Sequence, residues 1–468
     1  NRHLSEHLHL GKPFESIAPE LPEVIIIYPF DPLYHSAAAL QRQAEADMQS
    51  QACTTDEQTS AYDHILSRPN SYIGVRYRDL NKVYYRFGEA PPECFVALHT
   101  MTFRGSADFN THRLLRAIDG NTLLSKLCKS EQGHPEDLLL SPEQIQNHYA
   151  GMPVLLERTQ KLLESCHIAM DLQNPKPKNQ RTYTNNPALD LKLLDVLIKK
   201  GLRYRFGEQP EQKVLDRLKK EREIIYQKGF VAYFLINWKI LRYARSKGYF
   251  YVGRGSGANS LIAYLLRITD VDPIDLDLYF ERFINLYRTN PPDFDLDFSW
   301  ADRDDVTDFI FKRFKNTALI AVYNTFKHRA AVRELGKVFG LPKTEIDRLS
   351  RGRYRYEDLD HRAQCVVRYS KRLIGLPNYL GIHAGGILIA EQPITQYTAT
   401  FLPPKGYPTT HFDMVVAENI GLYKFDILSQ RGLGKIKDAV LIARENNPDH
   451  PPIDIHDLKR FKQDPKIK

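Results

Sequence analysis

Asp293, Asp295 and Asp297 alternate with Phe294, Leu296 and Phe298 directly after Pro291-Pro292. A spacing of two is the period of a β-strand, so this run predicts three carboxylates on one face and apolar side chains on the other. Neighbouring like charges repel unless cations neutralise them. Carboxylates one residue apart can each offer an oxygen to a hard divalent ion. Mg²⁺ favours one or two such carboxylates completed by substrate phosphates. An acidic strand edge in solvent is the alternative, and Phe294 and Phe298 speak against it.

Three further segments carry chemistry-bearing residues. Val252-Gly253-Arg254-Gly255-Ser256-Gly257-Ala258-Asn259-Ser260 precedes an apolar, helix-like run from Leu261 to Ile268. Its glycines allow close approach of a ligand, Ser256 is placed to cap the helix, and free N–H groups there would favour an anion. Arg254 would add a charge-assisted contact to a phosphate. A plain strand-to-helix turn is the other reading, and no P-loop spacing is present. Leu422-Tyr423-Lys424-Phe425-Asp426-Ile427-Leu428 reads as a strand with Lys424 and Asp426 on one face. Gly381-Ile382-His383-Ala384-Gly385-Gly386-Ile387 places a histidine, of a kind more often structural than catalytic, before a glycine pair and an apolar strand.

The chain that must position these residues has 468 residues, of which 42% are hydrophobic and 26% charged, with a net charge of +8. Such a composition excludes disordered and fibrous classes, and the length implies several domains. No apolar run approaches the roughly 18 residues needed to span a bilayer, so no membrane partner is expected. Cys53, Cys94, Cys128, Cys166 and Cys365 are scattered without a Cys-x-x-Cys pair, which fits a reducing cytoplasm rather than a disulfide scaffold or zinc site. The opening Asn1-Arg2-His3-Leu4 suggests a piece of a longer chain. Val24 to Pro29 and Cys94 to Leu98 read as buried strands, Gln41 to Asp56 as polar and helical or loose. His112 to Ile118, Pro153 to Cys166, Leu191 to Leu202 and Gln212 to Gln227 read as helical, and an apolar aromatic run, Phe230 to Tyr243, leads into the glycine segment. The Pro- and Asn-rich passage from Asn174 to Pro187 is the best linker or boundary.

Taken in order, the four segments resemble the catalytic core of the bacterial DNA polymerase III alpha subunits, the C-family polymerases. Ile268-Thr269-Asp270-Val271-Asp272-Pro273 and Phe280-Glu281-Arg282-Phe283-Ile284-Asn285 match that pattern too, and the resemblance runs from Glu221 to Leu433. It implies an α/β and α+β multidomain chain. Its parts would be a PHP-like α/β domain (1–172), a polymerase-β-like nucleotidyltransferase palm in two pieces (173–322 and 380–430), a helical thumb (323–379) and the start of the fingers (431–468). The implied activity is DNA-templated DNA synthesis with two Mg²⁺ ions on Asp295, Asp297 and Asp426, with Asp293 in support. Arg254, Gly255, Ser256 and Lys424 would hold the nucleotide's phosphates. Primer–template DNA and dNTP would be the substrates. In the full-length chain, the sliding clamp and other replisome subunits would be partners.

The chain also departs from that pattern. His7-Leu8-His9 has the form of a metal-binding pair without its strand and downstream acids, and Leu98-His99-Thr100 lacks the family's Asp-x-His. No complete metal site, and no proofreading, is therefore expected in the first 172 residues, where His99 and His112 read as core or surface histidines. Ile382 stands where several family members carry Lys. The chain ends soon after Asp426, so the fragment alone is expected to synthesise little DNA.

Between Lys327 and Arg372 lie 13 Lys+Arg and six Asp+Glu, a local balance of +7 that leaves the remainder nearly neutral. Arg348, Arg351, Arg353 and Arg355 interleave with Tyr354 and Tyr356, a pattern suited to a nucleic-acid backbone. Two other readings stand beside the polymerase: a non-catalytic DNA-binding or scaffolding module with a relic palm, and a nucleotidyltransferase acting on a small acceptor.

Overall fold

The computed structural model describes residues 1–11, 18–21, 23–30, 68–89, 91–168, 173, 175–281, 290–457, 461 and 465. Gln41 to Asp56, Cys53 and the match at Arg282 to Asn285 lie outside them. The chain forms two compact units. One comprises Asn1–Lys12, Asp171–Asn324 and Asn378–Lys468, the other Pro13–Met170 and Thr325–Pro377.

In the second unit β1 (Ile26–Pro29), β2 (Ser71–Val75) and β3 (Phe95–Ala97) form a parallel sheet in that order. Phe95, Ile73 and Val75 pack with Val83, Tyr149 and Leu155 from the covering helices. The Tyr149 hydroxyl donates to Val75 O at 2.7 Å and Leu98 O at 3.1 Å, closing the ends of two strands. Burial holds at β3 but not at β1, whose residues alternate between half-buried and exposed. With β2 as its neighbour on one side, β1 is an edge strand covered on one face among the described residues. The same unit holds a helical core, in which Leu114 of the helix Ser106–Asp119 meets Val332, Leu335, Leu349 and Val366. Those partners come from the helices His328–Val338, Lys343–Ser350 and His361–Leu373.

The first unit is built on a seven-stranded sheet. Its strands are β4 (Tyr251–Arg254), β5 (Asp295–Ser299), β6 (Thr317–Thr325), β7 (Pro377–Ile389), β8 (Thr400–Phe401), β9 (Thr409–Thr410) and β10 (Phe425–Gln430), in the order β4-β5-β10-β7-β6-β9-β8. One face is apolar: Leu296, Phe298, Phe425, Ile427 and Ile387 are buried under the helices Pro187–Phe206, Gln212–Gln227, Val231–Ser246 and Arg303–Arg313. Helix Gln212–Gln227 has the predicted bounds. Pro187–Phe206 starts earlier than its periodicity implies, because Asn186 accepts from Ala188 N and Leu189 N and Pro187 occupies the first turn.

The passage expected as linker or boundary adjoins the division between the units, at Met170 and Asp171, but it is not loose: Asn179 Nδ2 donates to Tyr423 O at 2.6 Å while its Oδ1 accepts from Tyr423 N at 2.7 Å. An asparagine amide can imitate a strand neighbour, and this one clips the passage to the start of β10. The helix expected from Leu261 to Ile268 ends at Leu265, where Arg267 turns to a φ of 58°. Ile268 O is thereby pressed against Gly253, where an added Cβ would meet that carbonyl well inside van der Waals contact. The obstacle is backbone and cannot swing aside. Gly253→Ala is expected to lower unfolding free energy by about 1–3 kcal/mol, read as a lower urea midpoint. An unchanged midpoint would contradict this packing.

Candidate functional site

β5 and β10 lie side by side and parallel at the centre of the sheet, with Asp426 opposite Asp295 in register. Because side chains alternate, burying Leu296, Phe298, Phe425 and Ile427 sends Asp295, Asp297 and Asp426 to the other face. Asp297 is 4% exposed and Asp426 6%, so both are largely withdrawn from water. Asp293 lies before β5 and is exposed.

β4 runs antiparallel on the outer side of β5 and sets Arg254 opposite Asp295. Arg254 Nη1 donates to Asp295 Oδ2 and its Nε to Asp297 Oδ2, both at 2.6 Å. Gln430 Nε2 donates to Asp297 Oδ1 at 3.2 Å, and Lys424 pairs with Asp426 Oδ2. Asp426 Oδ1 is buried with no hydrogen-bond partner. Burial, then the neighbouring charge of Asp426 against the relief of Arg254, leaves the Asp295 carboxyl above the ordinary aspartate range. Burial alone would lower the Lys424 ammonium, but its hydrogen bond and proximity to Asp426 carry it above the usual lysine value.

This donor set fits a hard divalent cation. An unpartnered buried carboxylate oxygen and a carboxyl strained towards its neutral form are what a cation would relieve. Among the described residues no three or more His, Cys, Asp or Glu converge as a finished cage. Mg²⁺ does not require one, since it is commonly held by one or two carboxylates plus phosphates and waters.

The glycine turn is only partly as expected. Gly255 has a φ of 95°, and an added Cβ would stand 2.5 Å from Asp293 O, so glycine is needed there. Ser256 does not cap the following helix. Its Oγ accepts from Asp293 N at 3.0 Å, drawing the turn onto the start of the acidic strand. The cap is Ser260, whose Oγ accepts from Ala263 N. The expected anion at that helix start is internal: Glu221 accepts from Leu261 N at 3.0 Å, Ile262 N at 3.2 Å and Ser260 Oγ at 2.8 Å. Arg217 Nε completes it at 2.6 Å. Those N–H groups are therefore taken, which corrects the reading of the helix terminus as a phosphate cradle.

His383 is held by the backbone of its own strand. Its Nδ1 accepts from Gly386 N at 2.8 Å, which assigns the ring proton to Nε2, and burial holds its pKa below the ordinary histidine value. Sequence reasoning missed Glu221, Gln430 and Arg303. Buried Arg303 donates to Ile427 O at 3.2 Å and Ala384 O at 3.0 Å, bracing β10 against β7. Only the Arg217–Glu221 spacing of four on one helix offered a signal for any of them.

The remaining expected residues lie in the other unit or off the site. Arg348, Arg351, Arg353 and Arg355 stand exposed on and after the helix Lys343–Ser350, with Arg348 near Glu345 at 3.6 Å. His7 and His9 sit on the helix Arg2–Leu10, His9 Nε2 reaching Thr400 Oγ1 at 3.0 Å. His99 Nε2 reaches Leu138 O at 2.8 Å, and His112 Nε2 accepts from Gly133 N at 2.8 Å. Among the described residues no helix is long and apolar enough to cross a membrane.

Paired carboxylates on adjacent strands, flanked by two cations and a glycine turn, are chemically suited to binding a divalent cation and phosphates together. Residues 192–429 match the family described as Bacterial DNA polymerase III alpha NTPase domain, and the chain belongs to that family. It is 32% identical over 389 residues to an error-prone DNA polymerase of Symbiobacterium thermophilum, covering 77% of this chain and 35% of that protein. To the DNA polymerase III subunit alpha of Bacillus subtilis it is 33% identical over 363 residues, 73% of this chain and 32% of the other. To that of Escherichia coli K12 it is 30% identical over 396 residues, 77% and 34% respectively. The chain thus spans about a third of the length of these relatives.

Proposed function

We propose that this chain carries the palm of a DNA-templated DNA polymerase that extends a primer 3′-hydroxyl from dNTP in bacterial replication. The observation behind the reading is the register of Asp426 against Asp295, with Asp297 two residues along. Two Mg²⁺ ions, when bound, would supply Lewis acidity for the attacking and leaving oxygens. Asp295, Asp297 and Asp426 would hold them. Gln430 fixes the rotamer of Asp297, and the closed Gly255–Ser256 turn fixes the start of β5. Arg254 and Lys424, displaced from the carboxylates, would turn to the nucleotide's phosphates. This assignment takes 1–172 as a PHP-like domain, apart from Asn1–Lys12, which belong to the unit of the seven-stranded sheet, and 323–379 as a thumb. Residues 173–322 and 380–430 form the palm, and 431–468 begin the fingers. The full-length protein would work in the cytoplasm with the sliding clamp and other replisome subunits.

The direct test is Mn²⁺ titration of the chain by electron paramagnetic resonance. Wild type is expected to bind, and Asp295→Asn and Asp297→Asn to weaken binding at least about tenfold, the loss of roughly one charge-assisted ligand. The relic module is the second reading: in it Arg254 and Lys424 would be the lasting partners of these carboxylates. Binding indifferent to both substitutions would select that reading.

The four arginines are assigned to duplex backbone contact. Changing Arg348, Arg351, Arg353 and Arg355 together to Gln is expected to cut the slope of log affinity against log salt for primer–template DNA by about 3–4. An unchanged slope would remove them from the interface.

A further inference from the structure

The helix Val231–Ser246 covers the apolar face of the sheet, opposite the carboxylates, with Phe234, Leu235 and Leu241 in the core. Lys239 and Arg242 emerge from it. Arg313 ends the neighbouring helix Arg303–Arg313, and Lys315 follows two residues later. The Arg242 guanidinium lies 5.3 Å from the Trp238 ring centre, and that of Arg313 lies 5.4 Å from the Tyr183 ring. Tyr183 and Trp238 meet edge to face at 6.4 Å, so two guanidiniums flank one pair of rings.

None of these four cations has a carboxylate partner among the described residues, whereas Lys312 pairs with Asp308 at 2.5 Å and Arg222 with Asp195 at 2.7 Å. Burial, then the positive charges of Arg242 and Arg313, hold the Lys239 ammonium below the ordinary lysine value. Beside Arg313 and Lys315 opens a cavity of about 420 Å³, walled also by Thr182, Tyr183, Asn185 and Asn316. Glu391 on its wall is engaged by Arg181 N at 2.7 Å.

Like charges gathered without counter-charge cost stability unless an anion neutralises them. A guanidinium laid on a ring is held in place and keeps its N–H edge for phosphate. A polar cavity next to such a row can admit a nucleoside splayed from an unpaired strand, which a base-paired nucleoside cannot offer. We propose that Lys239, Arg242, Arg313 and Lys315 form a second nucleic-acid contact, on the sheet face away from Asp295 and Asp297, that takes the phosphodiester backbone of a single strand.

The test is fluorescence anisotropy of a labelled oligo-dT on the full-length protein across a salt series. Lys239→Gln, Arg242→Gln and Arg313→Gln together are expected to reduce the salt slope by about 2, at roughly 0.7 per strand phosphate. Arg242→Lys with Arg313→Lys keeps the charge and is expected to keep the slope. Lys315→Gln, an exposed change, gives a smaller loss of slope should the triple variant fail to fold. Unchanged slope in both the triple variant and Lys315→Gln overturns the proposal. So does an equal loss for a blunt duplex, or displacement of oligo-dT by dATP at matched ionic strength from wild type but not from the triple variant. Asp297→Asn is expected to leave this slope intact, so failure here and failure of the polymerase reading are separable.

Discussion

Asp297→Asn in the full-length protein is expected to lower primer extension by about 10³-fold or more while the protein stays folded. Asparagine keeps the volume of aspartate and can still accept from Gln430, so the strand loses charge rather than shape. What goes is half of the anchor for Arg254, whose Nε and Nη1 bridge Asp297 and Asp295 at 2.6 Å each. The carboxylate that would hold a cation in a water-poor pocket goes with it. Primer–template binding, which this account gives to other residues, is expected to change little. Near-wild-type extension, or a loss explained by unfolding, would remove Asp297 from the chemistry.

Glu221→Ala is expected to have the largest effect on stability. The carboxylate is wholly buried, and burial pushes its pKa above the ordinary glutamate range despite its hydrogen bonds from Leu261, Arg217 and Ser260. Removing it takes the counter-charge from Arg217, which keeps only its bonds to Leu278 O and Asn259 O, and leaves two backbone N–H groups without their acceptor. Breaking a buried, hydrogen-bonded ion pair from one side costs about 3–5 kcal/mol. The urea midpoint is expected to fall accordingly, with Glu221→Gln intermediate because an amide oxygen can still accept. A cost below about 1 kcal/mol, within the range of exposed pairs, would show that the helix start does not depend on this anion.

What could be read from sequence was what local periodicity encodes. Alternation at Asp295-Leu296-Asp297-Phe298 placed the carboxylates on one face, and that is how β5 lies in the sheet. Helix Gln212–Gln227 has its expected bounds because its apolar spacing and its neighbours agree. Interactions between distant segments could not be read. Ser256 looks like a cap, but Asp293 N, from a segment far along the chain, competes for its hydroxyl and wins. Asn179 looks like linker until Tyr423 arrives beside it. The run to Ile268 keeps helical spacing, yet the close approach of β4 at Gly253 ends the helix early. Only the family resemblance brought Asp426 together with Asp295; no local period announced their register, since strand order is settled by the whole sheet.

The measurement closest to the central claim is anomalous diffraction from Mn²⁺-loaded crystals of the full-length protein with primer–template and nucleotide. The expected result is manganese density touching Asp295, Asp297 and Asp426, with Arg254 and Lys424 moved off the carboxylates. Density that avoids these three residues, with Arg254 still clamped between Asp295 and Asp297, would contradict it.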